Sequence, residues 1–256
     1  FPNVHVRIAR VLHINTKEQT VDTNIGSLRY DFLVIAVGAG NNFFGNEAIT
    51  RYALPMKSIG ESLGLRNTLL NNFEQALNTE DAEEQTALLN LVIVGGGPTG
   101  VELSGALSEM KKYVLPNDYP ELDFNRMKIY LVEGANKVLG AMSEKSQHKA
   151  LEYIESMGVE LLLGKTVTNY DGKTVFLSDN SRIKSYTLIW AAGIKGNILE
   201  GLNKEVISAG NRIKVDSYNR VEEYDNVFAI GDIALMANEQ YPKGHPQVAQ
   251  GAIQQV

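Results

Sequence analysis

The chain contains no cysteine. A disulfide framework, a thiolate metal site, a CxxC redox pair and a cysteine nucleophile are therefore all excluded within these residues. Histidine is scarce as well: His5, His13, His148 and His245 are scattered without metal-ligand spacing, so no metal site is expected. No apolar stretch reaches the length of a membrane span, and no signal peptide precedes the first strand pattern. Basic charge is also short, with 24 Lys and Arg against 30 Asp and Glu for a net charge of −6. With no basic stripe to override that balance, nucleic acid is excluded as an expected partner.

What remains is ordinary soluble-protein material, 256 residues with 44% hydrophobic and 21% charged residues. That is enough apolar content for one large or two small cores. Its most informative stretch runs Leu91-Val92-Ile93-Val94-Gly95-Gly96-Gly97-Pro98-Thr99-Gly100-Val101-Glu102. The apolar run from Leu88, broken only by Asn90, stops where Gly95 permits a sharp turn. Gly97 has no side chain where phosphates would approach. Pro98 suits the first helical position, because its missing N–H would be unpaired there and its φ is already helical. The amides that follow point at an anion, and Gly100, with Ser104 and Gly105 beyond it, lets the helix lie close to the sheet. Strand, glycine turn and helix start in this order predict a dinucleotide pyrophosphate site.

A second strand, about Met127 to Glu133, ends on the carboxylate that this fold uses to hold the adenosine ribose hydroxyls. It lies further from Gly100 than the usual spacing of about 20 residues. The excess falls in 113–125, which contains Pro116, Asn117, Asp118 and Pro120 and reads as an inserted loop. No basic residue directly follows Glu133 to receive a 2′-phosphate, Lys137 being the nearest, so NAD(H) is favoured over NADP(H). The competing reading of Glu133 is a solvated strand-end acid.

The rest of the chain frames this unit. Val4 to Val11 alternates at period two, and Gln19 to Thr23 and Ser27 to Tyr30 follow after short turns, which predicts an antiparallel meander. Phe32 to Val37 is a continuous apolar run expected as a buried parallel strand. Gly38 to Phe43 is not a second phosphate loop, because Phe43 stands where the third glycine must be. Ser58 to Leu77 is helical by its spacing, Asn78 to Thr86 reads as a linker, and a further helix is expected from Ser143 to Met157. Val159 to Leu163 is a third strand, short strands flank Asp171-Gly172, and buried strands end at Gly193 and near Gly231. The fold class is thus α/β. A Rossmann-like dinucleotide-binding domain, 58–193, is inserted into an outer domain made of 1–57 and 194–256.

Four signatures stand in order: Tyr30 to Gly38, Gly95 to Glu102, Thr187 to Gly193, and Asn226 to Asp232. This order resembles the flavoprotein reductases that carry two dinucleotide-binding domains, with a three-layer ββα build like that of glutathione reductase. Gly-Pro-Thr-Gly-Val-Glu, Trp-Ala-Ala-Gly and Ala249-Gln250-Gly251-Ala252-Ile253-Gln254-Gln255 are most similar to type II NADH dehydrogenases, the single-subunit NADH:quinone oxidoreductases. The resemblance covers nearly the whole chain. It implies hydride transfer from NADH to FAD and electron delivery to a membrane quinone without proton pumping. The protein would sit peripherally at the cytoplasmic face of the inner membrane, and a homodimer is compatible with it.

By the same resemblance 1–57 with 194–256 is a partial FAD-binding domain. Gly38, Ala39 and Gly231 would lie near FAD, and Asp232 would accept a hydrogen bond from a ribityl hydroxyl; alternatively Asp232 caps a helix beginning at Ile233. Ala192 and Gly193 would lie near NADH. Glu102 would position groups or handle a proton near nicotinamide or quinone, its competing reading being an inert surface charge. Ala249, Gln250, Gln254 and Gln255 would lie on a helix near the isoalloxazine and quinone, although three helical glutamines are ordinarily solvated. Met56, Lys57 and Arg66 would have structural roles at the join. The family's first FAD-binding βαβ unit would precede Phe1 and its membrane-docking helices would follow Val256. The chain is therefore expected to bind FAD poorly, to bind NADH still, and to be inactive by itself. Two other readings are a soluble reductase of a ferredoxin or disulfide, and a non-catalytic NADH-sensing module, against which the −6 charge counts.

Overall fold

Period-two alternation gives a ladder only where another strand is in reach, and the first forty residues illustrate both outcomes. In the computed structural model, which describes residues 3–255, β1 (Val11–Asn15), β2 (Thr20–Thr23) and β3 (Gly26–Arg29) form the expected antiparallel meander. Residues 4–10 do not join it: they are irregular, and Val4, Val6 and Ile8 are exposed. The alternation there has no face to bury, so it specifies no register. β4 (Leu33–Ile35) follows, then β5 (Ala39–Asn41). Because the chain after Gly38 enters β5 rather than a helix, that glycine turn opens no helix N-terminus.

The central part, Asn41–Gly193, forms one compact unit. Asn46 caps α1 (Glu47–Tyr52) through Ile49 N; β6 (Leu54–Pro55) and α2 (Ile59–Leu77) come next. At the start of α2 the Ser58 hydroxyl accepts from Glu61 N while the Glu61 carboxylate accepts from Ser58 N, a reciprocal capping box. The stretch read as a linker is irregular only over 78–81 and helical beyond: Asp81 accepts from Glu83 N and Glu84 N to start α3 (Ala82–Leu89). Ala87, Leu88 and Leu89 are buried, and this burial supplies what the polar sequence conceals. β7 (Leu91–Val94) leads into α4 (Pro98–Glu109), a π-helical turn at Met110–Val114 and α5 (Leu115–Asp118). The helix thus extends into half of the segment expected as a loop. β8 (Ile129–Glu133), α6 (Glu144–Ser156) and β9 (Glu160–Leu163) complete the alternation. A three-stranded antiparallel sheet of β10 (Val167–Tyr170), β11 (Thr174–Leu177) and β12 (Arg182–Lys184) precedes β13 (Thr187–Trp190).

The main sheet has the order β6-β13-β7-β8-β9, with its strand pairs parallel. Leu91 and Ile93 face a core with Phe73, Leu107 and Leu131, while Val92 and Val94 face a second core with Tyr170, Val175 and Trp190. Both faces of β7 are covered, which is why its sequence is continuously apolar rather than alternating. This unit takes in 41–57, which the sequence assigns to the outer domain. Ile49 and Ala53 are buried in the second core, and β6 hydrogen-bonds to β13.

The chain leaves the unit at β14 (Ile194–Gly196) and continues through β15 (Ile213–Val215), β16 (Val227–Ala229), β17 (Ala234–Met236) and α7 (Ala249–Gln254). Together with the first forty residues these segments form the other unit; Phe1, Pro2 and Val256, which the sequence includes in the outer domain, lie outside the described residues. β15 pairs with β17 and β16 with β4, both parallel. Ile14, Ile35, Ile213, Val215, Val227 and Ile233 share a core. The Phe32 to Val37 run is not the wholly buried strand expected: Ile35 is buried, whereas Phe32 is 70% and Val34 56% exposed. β16 is the only strand paired with β4 among the described residues, and only one of its faces is packed.

Candidate functional site

Where β13 leaves the order that runs through β7, β8 and β9, the sheet has a topological switch point, and the crevice beyond its carboxyl ends is where such sheets take ligands. A cleft of about 490 Å³ opens there. Gly95, Glu133, Lys165, Trp190, Ala192 and Gly193 are among its lining residues, and all belong to the Asn41–Gly193 unit.

Of the glycine loop, Gly95 lines this cleft, and the loop continues from there into α4. Gly95 has φ +111°, and a Cβ there would lie 2.6 Å from the Ala191 carbonyl oxygen. Gly97 is the N-cap of α4 with Pro98 in the first turn, and a Cβ on Gly97 would meet nothing within 4 Å. The loop is therefore open at Gly97, where a phosphate would approach. Gly100 is buried and makes the close helix–strand approach: a Cβ would come within 1.9 Å of the Gly95 carbonyl oxygen. Ser104 is fully buried one turn on, its hydroxyl donating to the Gly100 carbonyl at 2.7 Å. Thr99 is exposed, and the amides of the first helical turn lack helical acceptors, which makes them anion donors.

Glu133 forms the wall at the end of β8. One carboxylate oxygen accepts from Gly96 N at 2.6 Å and the other from Ala135 N at 2.8 Å. Each oxygen retains a lone pair for a hydroxyl. The side chain thus holds the loop and faces the cleft at once. Lys165, whose Nζ is 2.6 Å from Asp179, stands on the same cleft and is a residue that the sequence reading passed over. Phe44 is another: it adopts φ +51° and lines the cleft, and a Cβ on Gly193 would fall 2.9 Å from its ring. The left-handed backbone beside Gly45 leaves no periodic signal from which this could be read.

Glu102 is exposed on the second turn of α4 and does not line the cleft. In the other unit, Gly38 (φ +64°) and Gly231 (φ +73°) follow the paired strands β4 and β16, whose register aligns Ile35 with Ala229. Ala39 is buried. Asp232 lies inside a 3-10 turn, Gly231–Ile233, which has no side-chain cap, so it is not the N-cap of a helix from Ile233. Burial holds the Arg212 guanidinium below its ordinary value, and the charge of Asp232 opposes that shift. On α7, Ala249, Gln250 and Gln254 are exposed. Gln255 is the tethered glutamine, accepting from Gly231 N at 2.7 Å through its side-chain oxygen.

The Asn41–Gly193 unit, with a doubly covered parallel sheet and a glycine loop at its switch point, has the build of a nicotinamide-dinucleotide-binding oxidoreductase domain. Residues 2–255 match the family model described as pyridine nucleotide-disulphide oxidoreductase, and the chain belongs to that family. It is 35% identical over 264 aligned residues to the type II NADH:quinone oxidoreductase Ndh of Mycobacterium tuberculosis, an alignment covering 98% of the chain and 56% of that protein. A type II NADH:quinone oxidoreductase of Staphylococcus haemolyticus is 31% identical, with 96% and 61% covered. Among solved structures, NDH2 of Plasmodium falciparum in complex with NADH superposes with a TM-score of 0.81 at 26% identity, over 89% of this chain and 50% of that one. The chain therefore spans little more than half the length of these relatives. No described helix is long and apolar enough to cross a membrane.

Proposed function

We propose that the chain is the nucleotide-binding part of an NADH-oxidising flavoprotein that delivers electrons to a quinone. The observation that carries the nucleotide half of this reading is the cleft at the switch point, where Glu133 is hydrogen-bonded to the very loop that would hold the pyrophosphate. In this reading Gly95, Gly97, Pro98, Thr99 and Gly100 receive the pyrophosphate, Glu133 receives the adenosine ribose, and Ala192 and Gly193 border the nicotinamide half. A carboxylate accepts from two hydroxyls but repels a 2′-phosphate, so NADH is preferred over NADPH.

Type II NADH:quinone oxidoreductases supply the quinone half of the reading. FAD, when bound, accepts a hydride and passes electrons on singly. The residues of the other unit fit such a group: two positive-φ glycines end adjacent parallel strands, and a Cβ on Gly38 would meet nothing within 4 Å. Gly38, Ala39 and Gly231 would border its pyrophosphate, and Asp232 would accept from its ribityl chain. Glu102 would hold or move a proton at its carboxylate, while Gln250 and Gln254, four residues apart on one face of α7, would donate amide hydrogen bonds to quinone oxygens. The same reading puts the whole protein peripherally at the cytoplasmic face of the inner membrane and is compatible with a homodimer. Steady-state NADH oxidation by the full-length protein with a soluble quinone tests it. Turnover should rise well above flavin autoxidation and prefer NADH; equal rates with and without quinone would overturn the reading.

A further inference from the structure

The segment 113–125, which lengthens the crossover between α4 and β8, has no role in the nucleotide cleft. It does build a second cavity. It is a half-open depression of about 410 Å³ between the end of α4, the π-helical turn, the segment after α5 and Met157 at the end of α6. That volume lies within the range of small-ligand pockets, roughly 300–1,000 Å³.

Its chemistry is mixed in an ordered way. Leu122 and Phe124 are buried apolar walls, joined by Met157. Ser108 also lines the cavity; it is only 6% exposed, and its hydroxyl oxygen is buried without a hydrogen-bond partner. One turn earlier Ser104 satisfies itself on the Gly100 carbonyl. A buried hydroxyl with no partner costs about 1–3 kcal/mol, and it persists where something else pairs it. Two cations line the same cavity. Lys111 is half-buried and spends one N–H on the Met127 carbonyl at 2.7 Å, leaving two protons. Burial depresses its ammonium pKa, with Glu160 opposing, so an anion nearby would restore solvation that the site removes. Lys112 is exposed, its Nζ over the Tyr113 ring at 5.0 Å. The one carboxylate on the rim, Asp123, turns Oδ1 to Asn125 N and Nδ2 in its own loop. π-helical turns recur at functional sites because they break helical register.

We infer that this cavity binds a small amphipathic anion, with an anionic head on the Ser108 hydroxyl and the Lys111 ammonium and an apolar tail against Leu122, Phe124 and Met157. The site is separate from the dinucleotide cleft, with which it shares no lining residue.

Octanoate, with 1-octanol as the uncharged control, tests this by isothermal titration against the protein. Octanoate should bind saturably and at least about tenfold more tightly than octanol, since the charge-assisted contacts are absent from the alcohol. Ser108→Ala should weaken octanoate roughly fivefold and Lys111→Met about tenfold. Met157→Trp, at an exposed position, should block the cavity without disturbing the fold and serves as the control should Ser108→Ala misfold. Saturating NADH should leave octanoate binding unchanged. Equal affinity for octanol, indifference to all three substitutions, or displacement by NADH would each overturn the assignment.

Discussion

β7 and β4 are both short parallel strands that end in a glycine turn with positive φ, yet they are supported very differently. β7 is paired on both edges, by β13 and β8, and each of its four residues is buried in a core. β4 is paired on one edge among the described residues and exposes Phe32 and Val34. The glycine loop after β7 can therefore be held in shape by its own unit. Among the described residues, the turn after β4 has one strand, β16, beside it. Among the described residues, similar strand-to-glycine sequences thus stand in two different settings, one between two strands and one beside a single strand.

The largest effect should come from filling the close approach behind the β7 loop. Gly100→Val would drive a Cβ into the Gly95 carbonyl oxygen, an overpacking cost of about 3 kcal/mol or more. Fluorescence titration should show NADH binding weakened by roughly 100-fold or lost. Unchanged affinity would mean that the loop does not hold the nucleotide.

The strand comparison itself is tested by two truncations of similar chemistry. Ile93→Ala removes a fully buried side chain and should cost about 2–4 kcal/mol in denaturant unfolding. Val34→Ala removes one that is 56% exposed and should stay within about 0.5 kcal/mol. Comparable losses would show that β4 is buttressed as well as β7 is.

Glu133 separates loop support from ligand recognition. Glu133→Arg discards the acceptor for Gly96 N and Ala135 N and places a cation where a 2′-phosphate would lie. NADH should weaken by about 10–100-fold, the worth of a charged hydrogen bond, while NADPH gains relative to it. Equal losses for both nucleotides would assign Glu133 to the loop alone.

The glycine loop was legible because each of its residues answers a separate steric demand: a turn at Gly95, open space at Gly97, a helix–strand approach at Gly100. β7, β8 and β13 were legible because burial on both faces demands continuous apolar sequence. The same rule does not carry to Phe32 to Val37, where a similar run has one face packed among the described residues. α3 was hidden for the opposite reason. Its first turn is acidic and capped by Asp81, so local composition imitates a linker while Ala87, Leu88 and Leu89 do the packing. Phe44 and Lys165 reach the cleft through loop geometry, which carries no period at all.

The smallest effect concerns where the β7 unit begins. Glu61 sits at the start of α2, and although desolvation pushes its carboxyl pKa upward, hydrogen bonds from Lys57 N, Ser58 N, the Ser58 hydroxyl and the Asn41 side chain outweigh it and hold the pKa below the ordinary value. Asn41 is the first residue of the unit, so this carboxylate ties residues 41, 57 and 58 to α2. A depressed folded-state pKa adds stability above the unfolded carboxyl value and loses it as pH falls through the folded one. Glu61→Gln should therefore cost less than about 1 kcal/mol near pH 7, the scale of a cap, and nothing further as pH falls below the folded value, so its acid limb is shallower than that of the parent. If parent and variant lose stability in parallel from pH 6 to pH 3, the box does not anchor 41–58, and the boundary of the β7 unit belongs nearer Lys57.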